Sequence, residues 1–288
     1  MRVMVFGANG QVGRALCKYL LSTGVDVRGL SRDHNGGDIL QLADVEVAIS
    51  QYQPNVIVNA AAFTNVDLAE SQVEEAYAVN EAAVANLARC AKAVGALLVH
   101  FSTDFVFDGI DEHPWGEEDR PNPLNAYGRS KLAGEKAVVQ SGCRYVVLRV
   151  SWVHAPGHKN FITSAMDWLK EKNSVRVVHD QWGSPTSAND IAWAVKAVID
   201  RAMRDSSVDG IYHFANEGFT TRFDCVRFIA SQLHSRSNVE LVPVSSSTFK
   251  LPAQRPLNCR LDTGKFKRTF GYIARSWQDG VRETIFWK

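Results

Sequence analysis

The sequence predicts an α/β fold: a doubly wound parallel sheet with helices on both faces and a smaller C-terminal α/β lobe. Three observations predict it. Short β-branched runs alternate with longer segments of helical spacing through the first half of the chain. A glycine-rich turn follows the first of these runs and opens the first helical segment. The second half is less regular, with a stretch dense in Pro, Ser and Thr between 242 and 256.

In chain order, residues 2–7 read as a buried strand and 11–23 as a helix with Val12, Leu16 and Leu20 on one face. Residues 25–30 form a second strand, and Pro54 introduces a third at 55–59, NVIVN. An alanine-rich helix is expected over 74–94, a strand over 97–102, a helix over 126–140 and a strand over 145–150. Further on, 161–172, 188–203 and 221–232 read as helices, and 174–178, 210–214 and 239–242 as short strands. The expected organisation is one domain over 1–150 and a smaller lobe over 151–288, some segments of which return to the sheet.

The 288 residues are enough for a large core. Lys and Arg number 32 against 31 Asp and Glu, a net charge of +1, which gives no electrostatic ground for a nucleic-acid or anionic-membrane partner. The five cysteines, Cys17, Cys90, Cys143, Cys225 and Cys259, are odd in number and form no CxxC pair. That argues against a disulfide framework or zinc site and for a reducing compartment. The apolar run at the N-terminus is too short for a secretion signal, and no stretch of about 18 apolar residues occurs. A soluble, cytoplasmic protein is expected.

The turn reads Gly7-Ala8-Asn9-Gly10-Gln11-Val12-Gly13, a G-x-x-G-x-x-G spacing between strand and helix. One glycine permits the tight turn, a second lets the backbone approach a pyrophosphate, and a third lets helix and sheet pack closely. The helix start then offers N–H groups and partial positive charge to the anion. This is a Rossmann-type dinucleotide site, with Gly7, Asn9, Gly10, Gln11 and Val12 as cofactor contacts. Ser31 and Arg32 close the second strand where NAD-specific sites place a carboxylate. They suit a 2′-phosphate and favour NADPH, with NADH left open. Asp38 and Ile39 stand where they would flank the adenine.

Tyr127 and Lys131 lie four residues apart on the predicted 126–140 helix and so share a face. Reduction of a ketone needs a hydride from the cofactor and a proton for the alkoxide. A phenol has a reference pKa of about 10, and bringing it towards neutrality takes roughly 4 kcal/mol of differential stabilisation. A neighbouring lysine ammonium and an oxidised nicotinamide would supply it. Thr103 ends a predicted strand, at the edge where parallel sheets bind ligands, and its hydroxyl would hold the carbonyl oxygen beside Tyr127.

With these residues in view, the segments GANGQVG, VNAAAFTNVDLAE, STDFVFDG, NPLNAYGRSKLAGE, DQWGSPT and RPLNCRLD resemble the dTDP-4-dehydrorhamnose reductases of the extended short-chain dehydrogenase/reductase superfamily. The resemblance runs through nearly the whole chain. It implies a Rossmann domain with a sugar-nucleotide lobe, and reduction of dTDP-6-deoxy-L-lyxo-4-hexulose to dTDP-L-rhamnose for cell-surface polysaccharide. It implies Thr103, Tyr127 and Lys131 as the catalytic trio. Further cofactor contacts would be Ala61, Ala62, Phe63 and Thr64, with Tyr127 and Lys131. Substrate contacts would be Thr103, Asp104 and Trp152, whose indole would stack on the sugar. Lys159, Arg255 and Arg260 are the basic candidates for the substrate diphosphate, Arg255 foremost.

Two positions depart from the family pattern. Phe105 stands where the family commonly has Tyr, and Phe63 replaces a polar residue. No match is found for the glutamates that bind magnesium between subunits in some members, and Arg14 lies near one such place. No metal is expected, the spacing of His154 and His158 being broken by Ala155-Pro156-Gly157. The protein is expected to be a monomer or weak homodimer with a nucleotide-sugar substrate. The alternatives are another nucleotide-sugar reductase or epimerase, or a cofactor-binding regulatory subunit resembling that of methionine adenosyltransferase. The acidic run over 108–119 reads as a solvated loop.

Overall fold

The structure, a computed structural model, describes residues 1–32, 36–233 and 239–287. Its centre is a six-stranded parallel sheet. The strands are β1 (Arg2–Phe6), β2 (Asp26–Leu30), β3 (Val56–Asn59), β4 (Leu97–Thr103), β5 (Arg144–Val150) and β10 (Gly210–Phe214). Their spatial order is β2-β1-β3-β4-β5-β10. The order reverses direction between β1 and β3, which opens a crevice at the carboxyl ends of those strands.

The inner strands are buried almost throughout and mostly apolar because helices cover both faces of the sheet, with polar residues such as Asn59, His100 and Thr103 towards their carboxyl ends. On one face lie α1 (Gln11–Ser22) and α7 (Ala188–Ala202), burying Leu16, Leu20, Ile191 and Val195 against Val3, Val5 and Val99. On the other lie α2 (Leu42–Tyr52), α4 (Ala83–Val94) and α5 (Ala126–Ser141), burying Ile49, Leu87 and Val138 against Met4, Ile57 and Leu98. The sequence reading contains no counterpart of α2, whose apolar periodicity is weak beside that of its neighbours. α3 (Val73–Tyr77) runs into α4 through a π turn at Ala78–Ala82, so the helix expected over 74–94 is widened in its middle.

The second lobe has its own core. It packs α6 (Phe161–Glu171), α8 (Arg222–Gln232) and α10 (Trp277–Ile285) against β7 (Ser174–Val178) and β12 (Glu240–Val244). Short pairings complete it: β6 (Val153–His154) with β9 (Thr186–Ser187), and β8 (Trp182–Gly183) with β11 (Thr220–Thr221). Helix α9 (Gly264–Phe270) and strand β10 come from the second half of the chain yet pack on the central sheet, Phe266 meeting Phe214.

The 108–119 segment differs from expectation. Trp115 is buried, stacks on Phe107 with centroids 4.6 Å apart, and donates its indole N–H to the Asn258 carbonyl. Glu117 accepts the His213 backbone N–H. The charged residues around them mask these two anchors in the sequence. Among the described residues, no helix is long and apolar enough to cross a membrane.

Candidate active site

A cavity of about 740 Å³ lies in the crevice between the sheet and the second lobe. Its floor is the glycine turn. Gly7 has φ +77°, and a Cβ there would sit 2.5 Å from the Ala61 nitrogen. A Cβ on Gly13 would sit 2.2 Å from the Gly7 carbonyl oxygen. Side chains are therefore excluded at Gly7 and Gly13, which lets the chain turn tightly and helix α1 start close to the sheet. Helix α1 starts here with no side-chain cap, which leaves its first-turn N–H groups for an anion. Among the described residues, the buried side-chain atoms without a hydrogen-bond partner are Ser102 Oγ, His154 Nε2 and His158 Nε2, and all three residues line this cavity. Such a surface fits a nucleotide with polar groups to match.

Strand β4 delivers Thr103 to the cavity edge. Its hydroxyl donates to Asp104 Oδ1 at 2.9 Å and accepts from the Phe105 N–H. Ser151 donates to the other Asp104 oxygen at 2.8 Å. Asp104 is buried, and burial pushes its carboxyl above the ordinary range against these hydrogen bonds. Helix α5, capped by Asn125, delivers Tyr127 and Lys131 one turn apart. Burial raises the Tyr127 phenol to about 12, while a hydrogen bond with Thr103 works the other way.

The Tyr127 shift runs opposite to expectation. Lys131 does not act on the phenol here: its ammonium donates to the Phe101 carbonyl at 2.6 Å and meets His100 Nε2 at 3.4 Å. Burial lowers Lys131 to about 8, with the Glu135 carboxylate opposing. The two departures from the family pattern flank the phenol. Phe105 meets the Tyr127 ring edge-on at 5.9 Å, and Phe63 packs beside it with Ala69, Ala76 and Ala126. Asn80, from the π turn, ties Phe63 to Ser130 of α5 through its amide.

At the far end β5 stops and Trp152 takes φ +42°, which turns its indole over Gly183. Any Cβ at 183 would collide with that ring, so the glycine of the WG pair is a packing requirement. The Arg222 guanidinium lies 3.5 Å from the Trp152 ring centroid and 4.4 Å from that of Phe161. Burial lowers Arg222 to about 10, which keeps it a cation at neutral pH. Asn160 bridges the lobes by donating to Gln11 Oε1 at 3.0 Å while its backbone and side chain cap α6.

Of the expected residues, the structure brings Gly7, Gly10, Gln11, Val12, Ala61, Ala62, Thr64, Thr103, Asp104, Tyr127, Lys131 and Trp152 around this cavity. Asn9 and Ser31 lie beside it, joined by a 2.9 Å hydrogen bond at the end of β2, and Arg32 is exposed next to them. Ile39 is instead packed in the core with Leu30 and Val45, and Asp38 accepts the Leu40 N–H. Arg255 is also placed differently: Asp67 grips both its terminal nitrogens at 2.6 Å, so its charge is spent within the protein. Arg260 rests over Trp182 and Phe219 outside the cavity, whereas Lys159 lines it. The sequence reading missed Arg222, Asn160 and Asn80. Nothing local marks Arg222 among 32 basic residues.

The family profile described as RmlD substrate binding domain matches residues 1–286. A dTDP-4-dehydrorhamnose reductase of Salmonella typhimurium is 37% identical, the match covering 99% of this chain and 97% of the relative. The crystal structure of a dTDP-4-dehydrorhamnose reductase from Clostridium acetobutylicum is 34% identical with a TM-score of 0.92, covering 99% of this chain and 98% of that one. Another from Bacillus anthracis, in complex with NADP, is 31% identical with a TM-score of 0.91, covering 100% and 99%. With a family profile matched over nearly the whole chain and relatives above 30% identity covered over almost their full length, the chain belongs to the dTDP-4-dehydrorhamnose reductase family.

Proposed function

We propose that the protein reduces the 4-keto group of dTDP-4-dehydro-L-rhamnose to dTDP-L-rhamnose with NADPH as reductant, a step of dTDP-rhamnose biosynthesis. The observation that carries the reading is the convergence of Thr103, Tyr127 and Lys131 on one cavity, between a pyrophosphate turn and an indole–guanidinium pair. Residues 1–150 supply the cofactor's side of that cavity, and 151–288 mainly supply the substrate's.

Bound reduced nicotinamide supplies the hydride. The chain's own groups do the rest. The Tyr127 hydroxyl donates to the keto oxygen and gives up its proton as that oxygen becomes an alkoxide, while Thr103 turns its hydroxyl proton from Asp104 onto the same oxygen. A phenol raised to about 12 stays protonated at neutral pH, as a proton donor must, and an alkoxide is basic enough to take the proton from it. Lys131 orients the nicotinamide ribose. Trp152 covers the sugar face and excludes water. Arg222 meets the substrate diphosphate in place of Arg255. Replacing Arg222 by Gln should therefore raise KM for the sugar nucleotide about tenfold or more with kcat nearly unchanged, which steady-state kinetics reads directly. Arg255→Gln should leave that KM close to wild type.

The end of β2 carries the cofactor preference, through Ser31 and Arg32. Arg32→Ala should weaken NADPH about tenfold, the loss of roughly one charge-assisted contact, and leave NADH almost unchanged in a binding titration. The five thiols are free, which fits a reducing compartment and so a cytoplasmic enzyme. The deciding experiment is loss of reduced-nicotinamide absorbance on mixing protein, NADPH and dTDP-4-dehydro-L-rhamnose. Rapid oxidation supports the reading, and none by folded protein overturns it.

A further inference from the structure

Behind Lys131, away from the cavity, a chain of buried hydrogen bonds has a readable direction. The Ala61 backbone N–H can only donate, and it meets Asn59 Oδ1 at 3.1 Å. That fixes the Asn59 amide, so its NH₂ faces His100 Nδ1 at 3.2 Å. Nδ1 must then be the bare, accepting nitrogen, and the ring proton sits on Nε2. Nε2 faces Lys131 Nζ at 3.4 Å. Asn59 and His100 are both fully buried. Nothing in the cofactor or substrate cavity requires a histidine there.

We propose that His100 is a positioning residue for the reduction: with its tautomer fixed by Asn59, it points an N–H at Lys131 and loosens that lysine's hold on its proton. An ammonium facing an N–H is a donor against a donor, whereas an amine accepts that N–H and still donates to the Phe101 carbonyl. The alternative tautomer would set Nδ1–H against the Asn59 NH₂, and turning that amide would strand the Ala61 N–H beside the cofactor turn. Among the described residues, Glu135 on α5 is the charged group that favours the Lys131 ammonium, and Arg149 of β5 takes both its carboxylate oxygens. Tyr127, one turn earlier, stays neutral. The lowering of Lys131 agrees with this wiring. Lys131 then exchanges its proton near neutrality, so the charge it presents to the cavity it shares with Tyr127 varies with pH.

The inference rests on the reductase reading, but its first test does not need activity. In protein with ¹⁵N-labelled histidine, the His100 signals, assigned by their loss in His100→Gln, should show bare Nδ1 and protonated Nε2. A protonated Nδ1 would overturn the proposal. The second test is Asn59→Asp, which keeps shape and the acceptor for Ala61 but sets an acceptor against Nδ1. The tautomer should swap, Nε2 should accept from the ammonium, and the alkaline limb of kcat/KM should rise by about one pH unit or more. A swapped tautomer with an unmoved pH profile would also overturn it. If Asn59→Asp does not fold, the tautomer in wild-type protein decides alone.

Discussion

Tyr127→Phe should lower kcat for sugar-nucleotide reduction by about 10²–10⁴-fold while the affinity for NADPH stays within a factor of about two. The phenol is the proton donor of the site. It is flanked by Phe63 and Phe105, which offer no replacement hydroxyl, and the Thr103 hydroxyl, an aliphatic alcohol, is too weak an acid to take its place. The variant removes one oxygen from a ring whose packing is otherwise kept, so the fold and the glycine turn are untouched. The sign of the pH dependence follows from the raised phenol. The acid form persists through neutral pH and is lost only as the pH approaches about 12, so protonation of Tyr127 does not limit the reaction at physiological pH. Single-turnover loss of reduced-nicotinamide absorbance measures kcat, and a binding titration measures the cofactor. A variant that turns over at a near-normal rate would remove Tyr127 from the mechanism.

Glu135→Ala should destabilise the protein by about 3–5 kcal/mol, the largest stability effect expected of any single polar substitution here. Glu135 receives both Nε and Nη2 of Arg149, at 2.9 and 2.7 Å, with the two side chains only 2% and 3% exposed. Removing the carboxylate leaves a guanidinium in the core, where it has only the Phe107 ring at 5.2 Å and neutral His213, lowered to about 3 by burial. The cost is that of an unpaired charge, so the double variant Glu135→Leu with Arg149→Met should recover most of it. Urea denaturation of the three proteins reads this as midpoint shifts at constant slope. A loss under about 1 kcal/mol in Glu135→Ala would mean that water reaches the guanidinium.

The pair also ties stability to the site. It joins α5, which carries Tyr127 and Lys131, to β5, which ends at Val150, two residues before Trp152. Both ends of the cavity therefore hang from one buried interaction. Asn160 gives a second tie, from α6 of the lobe to Gln11 of the turn. The cavity is consequently set by contacts between lobes as well as by the sheet.

Much of this protein was legible in its residues alone. The strand, G-x-x-G-x-x-G turn and helix of the first segment follow from local chemistry, as do the Y-x-x-x-K helix face and the Thr at a strand end. Each depends on residues within one or two turns of each other, so local spacing determines them. What the tertiary structure decided depends on partners far apart in the chain. Arg255 looks as free as Arg222 in the sequence, but Asp67, 188 positions away, neutralises the first, and two aromatic rings shelter the second in the cavity. Lys131 looks like a tuner of Tyr127, but His100 and the Phe101 carbonyl, 30 residues back, take its nitrogen. Pattern fixes which face a side chain occupies; which charge meets which partner is settled only when the chain closes on itself, since burial and distance set the energies of polar groups.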